Sequence, residues 1–185
     1  MTDEGLERIR RIDAEAKRTG RDFAIVDLED RFPEGSTERA IVQILAVSLK
    51  ELTRSEIIRI MISAWGHGLV MQSQLEAIRT HPVMRILGTT GKEQTYGFAG
   101  TQFQDKLRDQ FREEDPSRFG AVVSYFISEL VREVDEQSRD GVQMAHFAYY
   151  TALLNPDTYA FESAVEDLKA QINYVKHLKK RLPQQ

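Results

Sequence analysis

Apolar residues recur at helical spacing along nearly the whole of this 185-residue chain, and few runs alternate in the β-branched manner of a strand. That periodicity predicts an all-α fold: a single-domain bundle of six or seven helices over 1–185, with 1–20 a loosely packed N-terminal helix. The first helix, about residues 3–18, carries a narrow stripe of Leu6, Ile9, Ile12 and Ala16 among charges, and Thr19-Gly20 ends it. Residues 21–32 suit either a short helix or a strand. Ser36 or Thr37 caps the next helix, with Ile41, Ile44, Leu45 and Leu52 on its apolar side.

Thr53-Arg54-Ser55-Glu56 matches a capping box, in which hydroxyl and carboxylate each satisfy a free backbone N–H. The helix it opens is expected to run over 54–80, with Ile57, Ile58, Met61, Ile62, Trp65, Leu69 and Val70 as a broad buried face. Trp65-Gly66-His67-Gly68 interrupts it. Those glycines suggest close helix crossings, the alternative being a helix break that exposes the imidazole. Residues 88–101 (GTTGKEQTYGFAGT) hold four glycines without apolar period and read as one long glycine-rich loop. Thr101-Gln102-Phe103-Gln104 suggests a second capping box, and Asp115-Pro116 a cap followed by proline at the first helical position. The helix over 116–138, with Phe119, Val122, Val123, Phe126, Ile127, Leu130, Val131 and Val134, is expected to form the centre of the core together with 54–80. A shorter apolar helix follows Gly141. In the last helix, about 156–181, Phe161, Val165, Leu168, Ile172 and Val175 follow coiled-coil spacing.

Chemistry is harder to find. The chain has no cysteine, which excludes disulfides, thiolate metal sites and a cysteine nucleophile. His67, His81, His146 and His177 match neither Glu-x-x-His nor His-Glu-x-x-His. No Gly-x-Ser-x-Gly elbow is present. Gly88-Thr89-Thr90-Gly91-Lys92-Glu93 fails as a phosphate loop, because Ile86 stands where a glycine is needed and Glu93 where a Ser or Thr is needed. The expectation is therefore a protein that is not an enzyme and needs no cofactor or metal. The charged N-terminus lacks the apolar stretch of a secretory signal, and no window is apolar enough to span a bilayer, so a cytoplasmic location without membrane contact is expected.

Charge separates the remaining readings. The chain carries a net −4, yet residues 54–100 hold five basic residues against three acidic ones. The leading expectation is a non-enzymatic helical interaction module: an adaptor, regulatory protein or small structural subunit. It would meet other subunits or self-associate through Lys92, Tyr96 and Phe98 of the glycine loop and through the seam Phe161, Val165, Leu168, Ile172 and Val175. The alternative is an accessory subunit of a nucleoprotein complex. Its basic patches, which would contact RNA or DNA, are Arg79, Arg85 and Lys92, with Lys176, Lys179, Lys180 and Arg181 at the C-terminus. A small-molecule sensor with an apolar pocket near Trp65 and Tyr150 is the third.

Overall fold

The computed structural model describes residues 3–90, 93–136 and 141–154. The chain divides into two compact units, Met1–Pro116 and Ser117–Gln185, where the sequence suggested one domain. Helix dominates, as the periodicity predicts. The first unit also contains a small sheet, which it does not predict.

In chain order the first unit comprises α1 (Asp3–Thr19), α2 (Phe23–Arg31), α3 (Thr37–Val47), β1 (Leu52–Thr53), α4 (Arg54–Trp65), α5 (Gln72–Arg79), β2 (Met84–Thr90), β3 (Glu93–Phe98) and α6 (Thr101–Glu114). The ambiguous segment 21–32 is helical: Asp22 accepts the Ala24 N–H at 3.0 Å and so caps α2. Ser36 caps α3 by accepting the Arg39 N–H at 3.1 Å. Along α3, Ala40, Ile41, Val42, Ile44, Leu45, Ala46 and Val47 are all buried, against α4, α5, α6 and β3. A helix buried over all but Thr37, Glu38 and Gln43 belongs in the middle of a core. The centre of this unit is therefore α3, not the 54–80 segment.

Residues 54–80 are also not one helix. The capping box forms as expected, with Thr53 accepting the Glu56 N–H and Glu56 accepting the Thr53 N–H, but α4 ends at Trp65. Gly66 takes a left-handed φ of +75° and returns its N–H to Ile62, so it terminates the helix rather than serving a close crossing.

The expected glycine-rich loop is a β-hairpin. Strands β2 and β3 pair antiparallel, with Met84 opposite Phe98 and Thr90 opposite Glu93. Between Ile86 and Gly88 the register slips by a bulge. β1 joins on the other side, Leu52 opposite Tyr96, giving the order β1-β3-β2. The β-branched and aromatic residues Thr95, Tyr96 and Phe98 make β3 the central strand, and this outweighs the glycines. At 101–104 the expected capping box is absent. Gln104 instead donates to the carbonyls of Ser48 (2.6 Å) and Leu45 (3.3 Å), closing the C-terminus of α3.

In the second unit, α7 (Pro116–Glu136) buries Phe119, Val122, Val123 and Phe126, while Ile127 and Leu130 are partly covered. α8 (Gly141–Leu154) brings Tyr150 onto Phe126, the rings stacked with centroids 4.9 Å apart. The seam at 161–175 lies outside the described residues.

Two substitutions test this arrangement. Leu45→Ala should destabilise the chain by about 2–5 kcal/mol through lost burial and a cavity. Thr53→Ala, which removes only the cap, should cost about 1 kcal/mol. Urea unfolding of both variants reads the difference, and a smaller loss for Leu45→Ala than for Thr53→Ala would contradict the placing of α3.

Candidate nucleic-acid interface

The connection between α4 and α5 is tied back onto α4. After Gly66 the backbone doubles back along α4. A Cβ at Gly68 would lie 2.7 Å from Ile62 Cγ1, so any larger residue there would force the Ile62 side chain to shift. Arg54, at the start of α4, then donates from Nη2 (2.7 Å) and Nε (3.1 Å) to the carbonyl of Val70 and pins the end of the turn. The Met71 N–H donates to the Gln74 side chain at 2.9 Å, which starts α5. Leu75 and Ile78 bury one face of α5, and the helix packs on α3. Gln72, Ser73, Ala77 and Arg79 remain exposed on the opposite side.

The hairpin is fastened beside this helix. Thr95 donates to Glu51 at 2.6 Å and Ser55, in the first turn of α4, donates to Glu93 at 2.6 Å. Gln72 donates to the Tyr96 hydroxyl at 3.3 Å. Two helices joined by a short connection, the second carrying a polar exposed face, are thus followed by a hairpin, an order of elements that a helix-turn-helix with a β wing also has. The connection 66–71 is longer than the ~3–4-residue turn of the compact motif.

This geometry redistributes the residues singled out from the sequence. Tyr96 is 3% exposed and Phe98 9%, so both rings are part of the packed unit instead of an open loop. Arg79 stands exposed on the last turn of α5, with its Nε 2.8 Å from Glu76 Oε2. Arg85 lies on β2 opposite Gly97. Arg79 and Arg85 thus fall on α5 and on the strand that follows it. Lys92, Phe161, Val165, Leu168, Ile172, Val175, Lys176, Lys179, Lys180 and Arg181 lie outside the described residues. Trp65 stacks on Phe111 in the first unit, whereas Tyr150 stacks on Phe126 in the second. His67 is exposed just past the end of α4, which matches the helix-break alternative. Among the described residues, no group of three or more His, Asp or Glu could hold a metal ion.

Sequence reasoning missed a buried polar anchor behind α5. His81, two residues past the end of α5, is 1% exposed, and its Nε2 lies 3.0 Å from Asp27 Oδ2 on α2, poorly aligned for a hydrogen bond. Its Nδ1 accepts a long hydrogen bond from the Val83 N–H at 3.4 Å, and Phe32 packs tilted against the ring. Burial is the main cause that lowers the His81 pKa. The Asp27 charge opposes it, and Arg31 and Arg8 add to it. Burial acts to raise the Asp27 pKa, but Arg8 (2.7 Å) and Arg31 (3.1 Å) together hold the carboxyl below its usual range. A second network joins α2, α3 and α6. Buried Arg39 lies 3.5 Å from Glu29 and 3.4 Å from Glu114, while Glu29 also takes Arg21 and Gln110. No periodicity signals such pairs, because each partner comes from a different helix.

In comparisons with known proteins, no protein-family model, curated protein or solved structure matches this chain.

Because the folded chain binds a proton at His81 less readily than the unfolded chain does, stability present at neutral pH should fall as pH drops from about 6.5 through the lowered folded value. Asp27 stays ionised over that window, and its contribution is lost only at much lower pH. Melting temperatures at about pH 7.5 and 5.5 measure the step, which His81→Gln should remove. Equal slopes for both proteins would contradict the assignment.

Proposed function

We propose that this chain is a non-enzymatic nucleic-acid-binding protein that reads duplex DNA with α5 and steadies itself on the backbone with the β2–β3 hairpin. The observation that carries this reading is α5 itself: the second helix of the pair, buried on one face by Leu75 and Ile78 and polar on the other at Gln72, Ser73 and Arg79. In helix-turn-helix proteins the second helix enters the major groove, and residues near its N-terminus meet the base edges. Gln72 and Ser73 occupy those positions.

Charge along the sequence supports this reading. Residues 54–100 carry a net +2 in a chain of net −4, with Arg79 at the end of α5, Arg85 on β2 and Lys92 between β2 and β3 in sequence. A modest basic excess of this kind suits a protein that relies on base contacts as well as on phosphates. Lys176, Lys179, Lys180 and Arg181 offer a second set of phosphate partners. The coiled-coil spacing of Phe161, Val165, Leu168, Ile172 and Val175 suits self-association, by which such proteins span two half-sites.

A second reading, the protein-interaction module, is favoured by one observation. Ile62, Leu69 and Met71 are at least half exposed beside the 66–71 turn, with Leu69 at 74%. Clustered apolar side chains at a surface mark contact with another protein. On this reading α4 and its turn dock a subunit and α5 need not meet DNA. Among the described residues, no helix is long and apolar enough to cross a membrane.

Fluorescence anisotropy with a random-sequence duplex separates these. The DNA reading expects binding that weakens steeply between about 50 and about 200 mM salt, as released counterions require. Arg79→Ala, Arg85→Ala or Lys92→Ala should each reduce the salt slope by about one. No binding at the lower salt, together with capture of a protein partner that Leu69→Ser abolishes, would favour the interaction module.

A further inference from the structure

We infer that α5 distinguishes bases by the carbonyl oxygen of Gln72, which selects the exocyclic amines of cytosine and adenine, and that Tyr96 is the positioning residue that fixes this choice. The inference rests on the duplex-DNA reading above and deepens it. Gln72 is the first residue of α5 and its side chain is exposed. Its amide nitrogen donates twice, to Glu76 Oε1 at 3.2 Å and to the Tyr96 hydroxyl at 3.3 Å. A side-chain amide has only two N–H groups, so both are used. The orientation is set by chemistry, because an ionised carboxylate accepts and never donates, and the nitrogen must therefore face Glu76. Tyr96 completes the arrangement by sending its own hydrogen to Gln94 Oε1 at 3.4 Å, which leaves an oxygen lone pair for Gln72. The other Glu76 oxygen is taken by Arg79.

What α5 offers from Gln72 is thus a lone acceptor. In the major groove, cytosine shows the N4 amine and adenine the N6 amine beside the N7 acceptor, whereas guanine and the thymine O4 show acceptors at the matching edge. A single carbonyl oxygen accepts from the first two and is repelled by the others. A free glutamine amide behaves differently: it pairs with both N6 and N7 and so selects adenine alone. The tyrosine hydroxyl therefore broadens the readout from one base to two.

Selection from a randomised duplex pool tests this, using the wild type, Gln72→Ala and Tyr96→Phe. Phenylalanine keeps the buried ring of Tyr96 and removes only the hydroxyl, and the melting temperature of each variant checks that it is folded. The wild type should recover a site with one position that is cytosine or adenine over guanine or thymine by about tenfold. Gln72→Ala should lose the preference at that position alone, and Tyr96→Phe should narrow it to adenine. An identical site from all three proteins would overturn the role of Gln72. A loss in Gln72→Ala with no change in Tyr96→Phe would overturn the role of Tyr96. If the folded wild type recovers no site yet binds the random-sequence duplex, the readout by Gln72 is overturned and the duplex-DNA reading stands; if it binds no duplex at all, both fail.

Discussion

The burial of most of α3 constrains the rest of the first unit, with only Thr37, Glu38 and Gln43 half-buried. Ile41, Ile44, Leu45 and Val47 have at most 2% of their surface exposed, and each such side chain is stabilised by about 1.5–3 kcal/mol on leaving water. A helix with so wide an apolar face must be covered on most sides, and α4, α5, α6 and β3 pack on it. The helices among them give one face to α3 and keep another for solvent, whereas β3 is buried from Thr95 to Phe98. The polar face of α5 is therefore a consequence of packing: Leu75 and Ile78 are committed inward, which commits Gln72 and Ser73 outward.

Polar contacts then fix the elements against one another with a precision that apolar burial alone lacks. Arg54 on the Val70 carbonyl sets the path of the turn, and Gln104 closes the end of α3. His81 and Asp27 tie the chain just past α5 to α2, with Arg8 reaching the same carboxylate from α1. A buried charge left without its partner costs several kcal/mol, so the cluster is maintained only while α1, α2 and the segment after α5 keep their places. This is how a chain rich in surface charge specifies one arrangement around a core of ordinary size.

Much of the local structure was legible in the residues. Thr53-x-x-Glu56 forms its capping box, Ser36 caps α3, and the apolar positions 119, 122, 123 and 126 are buried in α7. The departures have two causes, tertiary pairing that overrode a local signal in the hairpin and a backbone angle that composition does not reveal at Gly66. Glycines at 88, 91, 97 and 100 suggested a loop, yet Thr95, Tyr96 and Phe98 find partners on β1 and β2 and become a central strand. Gly66 looked like a close crossing and is a left-handed terminator, a distinction made by φ and not by composition. Of the candidate site, Arg79 and Arg85 were visible as basic residues in a basic segment. Gln72 was not, since a glutamine at the start of a helix gives no signal until its neighbours in space are known.

On the proposed reading α5 and the hairpin, both packed on α3, form a surface for duplex DNA. Amide hydrogen exchange of the full chain, with and without a duplex at low salt, tests it most directly, because the readout is residue by residue and independent of sequence preference. The account predicts added protection confined to 72–80 and the hairpin strands, with α3 already protected in the free protein. Protection centred on 62–71, or none anywhere with duplex in excess, would contradict it.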